Sequence, residues 1–222
     1  MAFFSSLYFA VTAPVAGSTV GGNNAYVLGE NNIGTGAYSI ALGAQNKAGG
    51  KNAFVAGYNS TVGSTSENAL AIGQSARVGA TGATATVDPA TGAVTAKYSD
   101  EKKATDGIAV GHATSVMAEA GVAIGRKAYV SGKEGIAFGS SVLTGGVGAV
   151  AIGATSGASG EKSVALGYGA KASNIGSISL GNGAKVEHDG VPVGGAIAMG
   201  MNAYSLHKYA IRSGCFPYGQ PH

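Results

Sequence analysis

Glu187, His188 and Asp189 stand side by side in the chain, and by residue type they could hold a metal ion. Their spacing argues against it. Consecutive residues of a strand alternate faces, so Glu187 and Asp189 point one way and His188 the other. Asp189-Gly190 reads better as the turn of a polar hairpin. The remaining histidines, His112, His207 and His222, lie far apart and in no metal or nucleophile motif. The stretch "GASGEKS" at 157–163 has the residue types of a phosphate loop but not its spacing. Cys215 is the sole cysteine, so no intrachain disulfide can form, and it reads as an incidental thiol. No catalytic residue, metal or cofactor is expected, and the chain does not read as an enzyme.

Composition points to what such a chain is for. Glycine is 39 of 222 residues and charged residues are only 11%, while 45% are hydrophobic. Disorder normally goes with low hydrophobicity, and the Gly-every-third period of collagen is missing. The net charge of +3 is small and the 14 Lys and Arg are scattered, so no nucleic-acid partner is expected. The apolar run in "MAFFSSLYFAVTAPVAGS" falls short of the ~20 residues that span a bilayer. No Lys or Arg precedes Lys47, which argues for a structured or docking segment over a secretory signal. No membrane insertion is expected.

What organises the chain is a clock. Glycines 29, 43, 57, 73, 111, 125, 139, 153, 167, 181 and 200 each close a similar five-residue phrase, with gaps of 14, 14, 16, 38, 14, 14, 14, 14, 14 and 19. Such periodicity is the signature of a solenoid. One and three residues before the glycine stand large apolar side chains: Ile40, Leu42, Leu70, Ile72, Ile108, Val110, Val122, Ile124, Ile136, Phe138, Val150, Ile152, Val164, Leu166, Ile178, Leu180, Ile197 and Met199. Between them lies a small column: Ala41, Ala71, Ala109, Ala123, Ala137, Ala151, Ala165, Ser179 and Ala198. Large-small alternation is a period of two, so each phrase is a strand. The large column is expected to fill the coil core, and the small column to let a partner chain approach. A weaker second strand follows each glycine, with Val62, Val78, Val116, Val130 and Val186 five residues on. Two large side chains per coil contribute roughly 3–6 kcal/mol on burial, against roughly 14–28 kcal/mol to order fourteen backbones. Even with ladder hydrogen bonds, a coil this thin calls for an oligomer.

The phrases "YSIALGAQNKAGG", "GVAIGRKAYVSG", "KSVALGYGAKAS" and "GSISLGNGAKV" resemble the YadA-like head repeats of trimeric autotransporter adhesins. The resemblance implies an all-β fold, a left-handed parallel β-roll of fourteen-residue coils in a homotrimer, with the small column near the threefold axis. It implies a non-catalytic role in binding surfaces. Full-length members add a heptad stalk and a membrane barrel, for which this sequence shows no pattern. That departure, by analogy of fold alone, favours a phage virion fibre, spike or capsid decoration protein, with host attachment as its role. The alternative is the head of a bacterial adhesin on the cell surface. The expected partners are the chain itself, another virion or surface protein at one end, and a receptor whose nature the sequence does not give. An ice- or carbohydrate-binding solenoid would show a regular Thr column, and none is present.

Three regions follow. Residues 1–23 read as a capping or docking segment, 24–205 as the roll and 206–222 as a tail. The roll carries a hairpin insertion at about 80–106, signalled by "DPATG", and a smaller one at about 182–195. The first insertion carries Asp100, Glu101, Lys102 and Lys103, a candidate contact with a partner. Phe3, Phe4, Tyr8 and Phe9 at one end, and Tyr209, Phe216 and Tyr218 at the other, are suited to cap the solenoid or to dock it onto a larger assembly.

Overall fold

Gly125 shows why the phrase closes on glycine. Its φ is +129°, and a Cβ there would lie 2.1 Å from the carbonyl oxygen of Gly139 in the next coil. Any side chain would be both strained and in collision. The chain therefore turns at this point in every coil and starts a second strand. The computed structural model describes residues 17–80, 82–87, 94–99, 101–187, 194–207 and 209–214.

The repeated phrases form one sheet, here sheet I, with strands such as Tyr26–Glu30, Leu70–Gln74, Ile108–Val110 and Val122–Ile124, ending at Ile211–Ser213. The short strands after each glycine, from Thr19–Val20 to Tyr204–Ser205, form sheet II. Among the described residues each sheet has 12 strands, stacked in chain order. Pairing is parallel throughout both, and equivalent residues face one another, as in Ala109↔Ala123↔Ala137. Twelve strands at ~4.8 Å spacing give a rod ~53 Å long. The longest insertion does not disturb the stack, since Leu70 pairs directly with Ile108.

The two faces of sheet I are the reverse of the expectation. Ala41, Ala71, Ala109, Ala123, Ala137, Ala151, Ala165, Ser179 and Ala198 are all 0% exposed: the small column is the coil core and does not face a partner. The residues expected as core, Ile40, Leu42, Leu70, Ile72, Ile108, Val110, Val122, Ile124, Val150, Val164, Leu180 and Ile197, are half-exposed on the outer face. Ile136, Phe138, Ile152, Leu166, Ile178 and Met199 are exposed there. The cause is the closeness of the two sheets. A Cβ on Gly121 would sit 2.8 Å from Cγ1 of Val116, and one on Gly107 would sit 2.6 Å from Cγ1 of Val78. An interior that rejects even a methyl at these points accommodates Ala, Ser and Val and excludes Leu or Phe. The valines of sheet II, among them Val62, Val78, Val116, Val130 and Val186, point inward and fill the same core.

A thread of buried polar groups runs through the first coils. Asn46 donates its Nδ2 to the carbonyls of Leu42 and Gly57, both at 2.7 Å, and its Oδ1 accepts from the Ser60 amide at 3.0 Å. Asn32 repeats the pattern one coil earlier, its Oδ1 accepting from the Asn46 amide at 2.8 Å. Each Asn bridges its own coil and the next, so no buried group of its amide is left unpaired.

The roll extends beyond the expected limits of 24–205, with strands from Thr19–Val20 to Ile211–Ser213. The last coil closes on Gly214, fourteen residues after Gly200. Its phrase reads "AIRSG", with Arg212 in the inward column, opposite Ala198, and no large residue before the glycine. Residues Gly82–Val87 and Val94–Ser99 pair antiparallel as a separate two-stranded ribbon that joins neither roll sheet. Residues 188–193 of the smaller insertion, including His188 and Asp189, lie outside the described residues.

Candidate functional surfaces

The outer face of sheet I is the most conspicuous surface of the roll. Its two columns run Tyr26 and Leu28, Ile40 and Leu42, Phe54 and Ala56, and so on to Ile211 and Ser213. Every position is apolar or tyrosine except Ser213, and no charge interrupts the ~53 Å stripe. Phe138, at 51% exposed, stands near its middle. A contiguous apolar face of this length exceeds what monomers ordinarily leave in water.

Sheet II presents a different outer face, one that changes along the rod. In the first coils its outward positions are buried or half-buried: Ile33 is 8% exposed and Thr61 is 1%, and Thr19, Lys47 and Arg77 are half-buried. In the later coils they are bare, with Tyr129 at 38%, Leu143 at 49% and Tyr204 at 48%. Lys47, beside Thr61, is half-buried, and its pKa is held below the usual lysine value first by that burial and then by the charge of Arg77.

Of the proposed contact cluster, the described members are engaged within their own chain. Glu101 accepts hydrogen bonds from the Ser64 hydroxyl and from the Thr65 amide, the latter at 3.1 Å. The Lys102 amide donates to Gly79 at 2.7 Å, and its carbonyl accepts from the Ser66 hydroxyl at 3.3 Å. Lys103 pairs with Glu119 at 2.9 Å, and Lys133 joins the same carboxylate at 3.4 Å. The hydrogen bond from Lys103 is the main cause that lowers the Glu119 pKa, and the same bond raises that of Lys103. Ser64 and Thr65 are the two extra residues of the sixteen-residue interval between Gly57 and Gly73. The short insertion thus makes a socket for the foot of the long one. Asp100 lies outside the described residues.

The aromatic ends divide similarly. Tyr209 is 69% exposed, and its ring lies where a Cβ on Gly195 would meet Cδ1 at 2.9 Å. Phe3, Phe4, Tyr8, Phe9, Phe216 and Tyr218 lie outside the described residues. Among the described residues no group of three or more His, Cys, Asp or Glu could hold a metal ion. No helix among them is long and apolar enough to cross a membrane.

Comparison with known proteins bears on the repeat itself. The YadA head domain repeat (2 copies) matches residues 35–60, 118–141, 145–170 and 158–184. Those segments of the chain are similar to YadA-type head repeats. Among solved structures, the collagen-binding domain of the Yersinia adhesin YadA is similar in fold, with a TM-score of 0.51 and 18% identity over 75% of this chain and 73% of that one. No curated protein matches the chain. In this chain the phrase alanine is the core residue of its coil, and the large residues flanking it face outward.

Proposed function

We propose that this chain is the non-enzymatic, homotrimeric head of a surface fibre, adhesive in role. The observation that carries it is the uncharged apolar stripe on sheet I. Three copies set side by side cover all three stripes with one another and leave sheet II of each facing outward. The trimer contact therefore runs through Ile40, Leu42, Ile124 and Phe138 and their columns, and not through the small column first expected there. The collagen-binding function named for the Yersinia domain supports an adhesive reading, since both chains present rigid roll surfaces. Light scattering tests the assembly: three times the 21.5 kDa chain mass is expected, and a monomer at micromolar concentration would overturn it. Fractionation assigns the carrier. Stoichiometric recovery from purified phage particles makes the chain a virion fibre or decoration protein, whereas recovery from washed outer membranes makes it a bacterial adhesin head.

A further inference from the structure

Charge is segregated around the later coils. From Gly111 onward, the carboxylates of Glu119, Glu134 and Glu161 all lie on the turn that leads into sheet I, beside Lys133 and Lys162. There Glu119 is bridged to Lys103 and Lys133, and Glu161 to Lys162. The opposite turn and the outer face of sheet II carry Arg126, Lys127, Lys171 and Lys185 and, among the described residues, no ion pair. Among the described residues the one carboxylate on that side is Glu187, two residues past Lys185. His112 is, among the described residues, the only other titratable group there besides tyrosines.

Register sharpens the picture. Lys171 stands directly opposite Lys185 on the neighbouring strand, and Lys185 opposite Tyr204. Gly157 stands opposite both Leu143 and Lys171, so a gap precedes the lysine pair. Like charges opposed at ~4.8 Å repel one another unless an anion lies between them. Tyr168, 62% exposed, stands three residues before Lys171. The flanking positions Gly145, Ser159 and Ser173 are small and exposed, which leaves a track along the rod that no bulky side chain at these positions blocks.

We propose that this face, centred on Lys171 and Lys185 with Tyr168 and Tyr204 beside them, binds an acidic polysaccharide. The ammonium pair supplies several donors for a carboxylate or sulfate group. The tyrosines offer flat apolar faces with a polar tip for sugar rings. The track follows the rod axis, so an extended chain can lie along it. No regular Thr array is needed: the recognition is ionic and local. The proposal rests on the trimer reading in one respect, since covering sheet I makes sheet II outermost and gives three such faces per particle.

The test uses the full chain on immobilised heparin, with neutral dextran and duplex DNA as comparison ligands. The wild type is expected to be retained on heparin and not on dextran. Lys171→Ser/Lys185→Ser should lose about tenfold or more in affinity, the effect of two charge-assisted contacts. Lys133→Ser/Lys162→Ser, with the same change in net charge, should stay within about twofold because those lysines already have carboxylate partners. Tyr168→Ser/Tyr204→Ser should weaken heparin binding. Equal loss in both lysine pairs, or no binding by the wild type, overturns the site. Equal or tighter binding of DNA overturns the polysaccharide assignment. Light scattering on the same samples separates the two readings: a trimer that ignores heparin sinks this inference alone, and a monomer that binds it sinks only the trimer.

Discussion

Ala123 and Ile124 are neighbours in one phrase, and exchanging their characters separates the inside of the roll from its assembly surface. Ala123 is 0% exposed, packed where the nearby Gly121 could not take a Cβ without meeting Val116 and Val130 at 2.8 and 2.9 Å. Ala123→Leu forces three more carbons into that space. Overpacking of this kind costs ~1–3 kcal/mol or more, and a domain of this size loses ~2–4 °C per kcal/mol. A fall of about 5–10 °C in Tm is expected, the same at any protein concentration. Ile124→Ser removes an outward side chain and costs the isolated coil no more than ~0.5 kcal/mol. In a trimer it removes ~1–2 kcal/mol of burial per chain, or about 3–6 kcal/mol per particle, which weakens assembly by roughly a hundredfold to ten-thousandfold. Its Tm should therefore fall steeply on dilution. The assay is thermal unfolding by circular dichroism at two concentrations a hundredfold apart, with light scattering alongside. A tolerated Ala123→Leu, or an Ile124→Ser whose Tm loss ignores concentration, would refute the assignment of faces.

Three further outcomes follow from the geometry. Asn46→Ala leaves the Leu42 and Gly57 carbonyls and the Ser60 amide without their partner. Only the Ser60 amide is fully buried, so at ~1–3 kcal/mol for that stranded group it should cost at least ~1 kcal/mol in denaturant unfolding, and no measurable loss would mean the Asn thread is dispensable. Glu101→Ala frees the foot of the hairpin from Ser64 and Thr65, so hydrogen exchange should quicken at residues 64–66 and 101–104 while global Tm stays within about 2 °C. Lys47 has a folded pKa below its ordinary 10.5, through burial first and Arg77 second. Its protonated form is penalised in the native state, so wild-type stability relative to Lys47→Met should rise with pH between that lowered value and 10.5. A pH-independent difference over that window would show that Lys47 carries no such penalty.

How much of this was legible beforehand depends on which property is asked. The fourteen-residue clock set the coil and the parallel stacking, because each closing glycine answers a backbone collision that recurs once per coil. Alternation revealed two faces but not which was inside. That choice depends on the distance between the sheets, and the usual rule of large residues inward fails when the gap admits only Ala, Ser and Val. The signal that could have corrected it lay in the column four before each glycine, where Gly107, Gly121 and Gly135 alternate with Ala and Ser. Positions so small on the same face as Ala109 and Ala123 mark the crowded side. The final coil escaped notice because "AIRSG" breaks both column rules, and the Glu101 socket because its two halves lie 36 and 37 residues apart.

The break at the final coil has a physical consequence. A solenoid of identical coils has no internal reason to stop, and its last strand offers an open edge to any similar strand. Arg212 occupies the column that is Ala, Ser or Val in the preceding coils. On the last described strand it is exposed to water. A further coil stacked on Ile211–Ser213 would enclose its guanidinium in a core that holds no carboxylate among the described residues, at a cost of several kcal/mol. Arg212 thus makes a further coil on this strand costly by the same rule that builds the roll. The interior accepts only small neutral side chains, so one charge in that column disfavours a further coil there while leaving the apolar stripe outside unchanged.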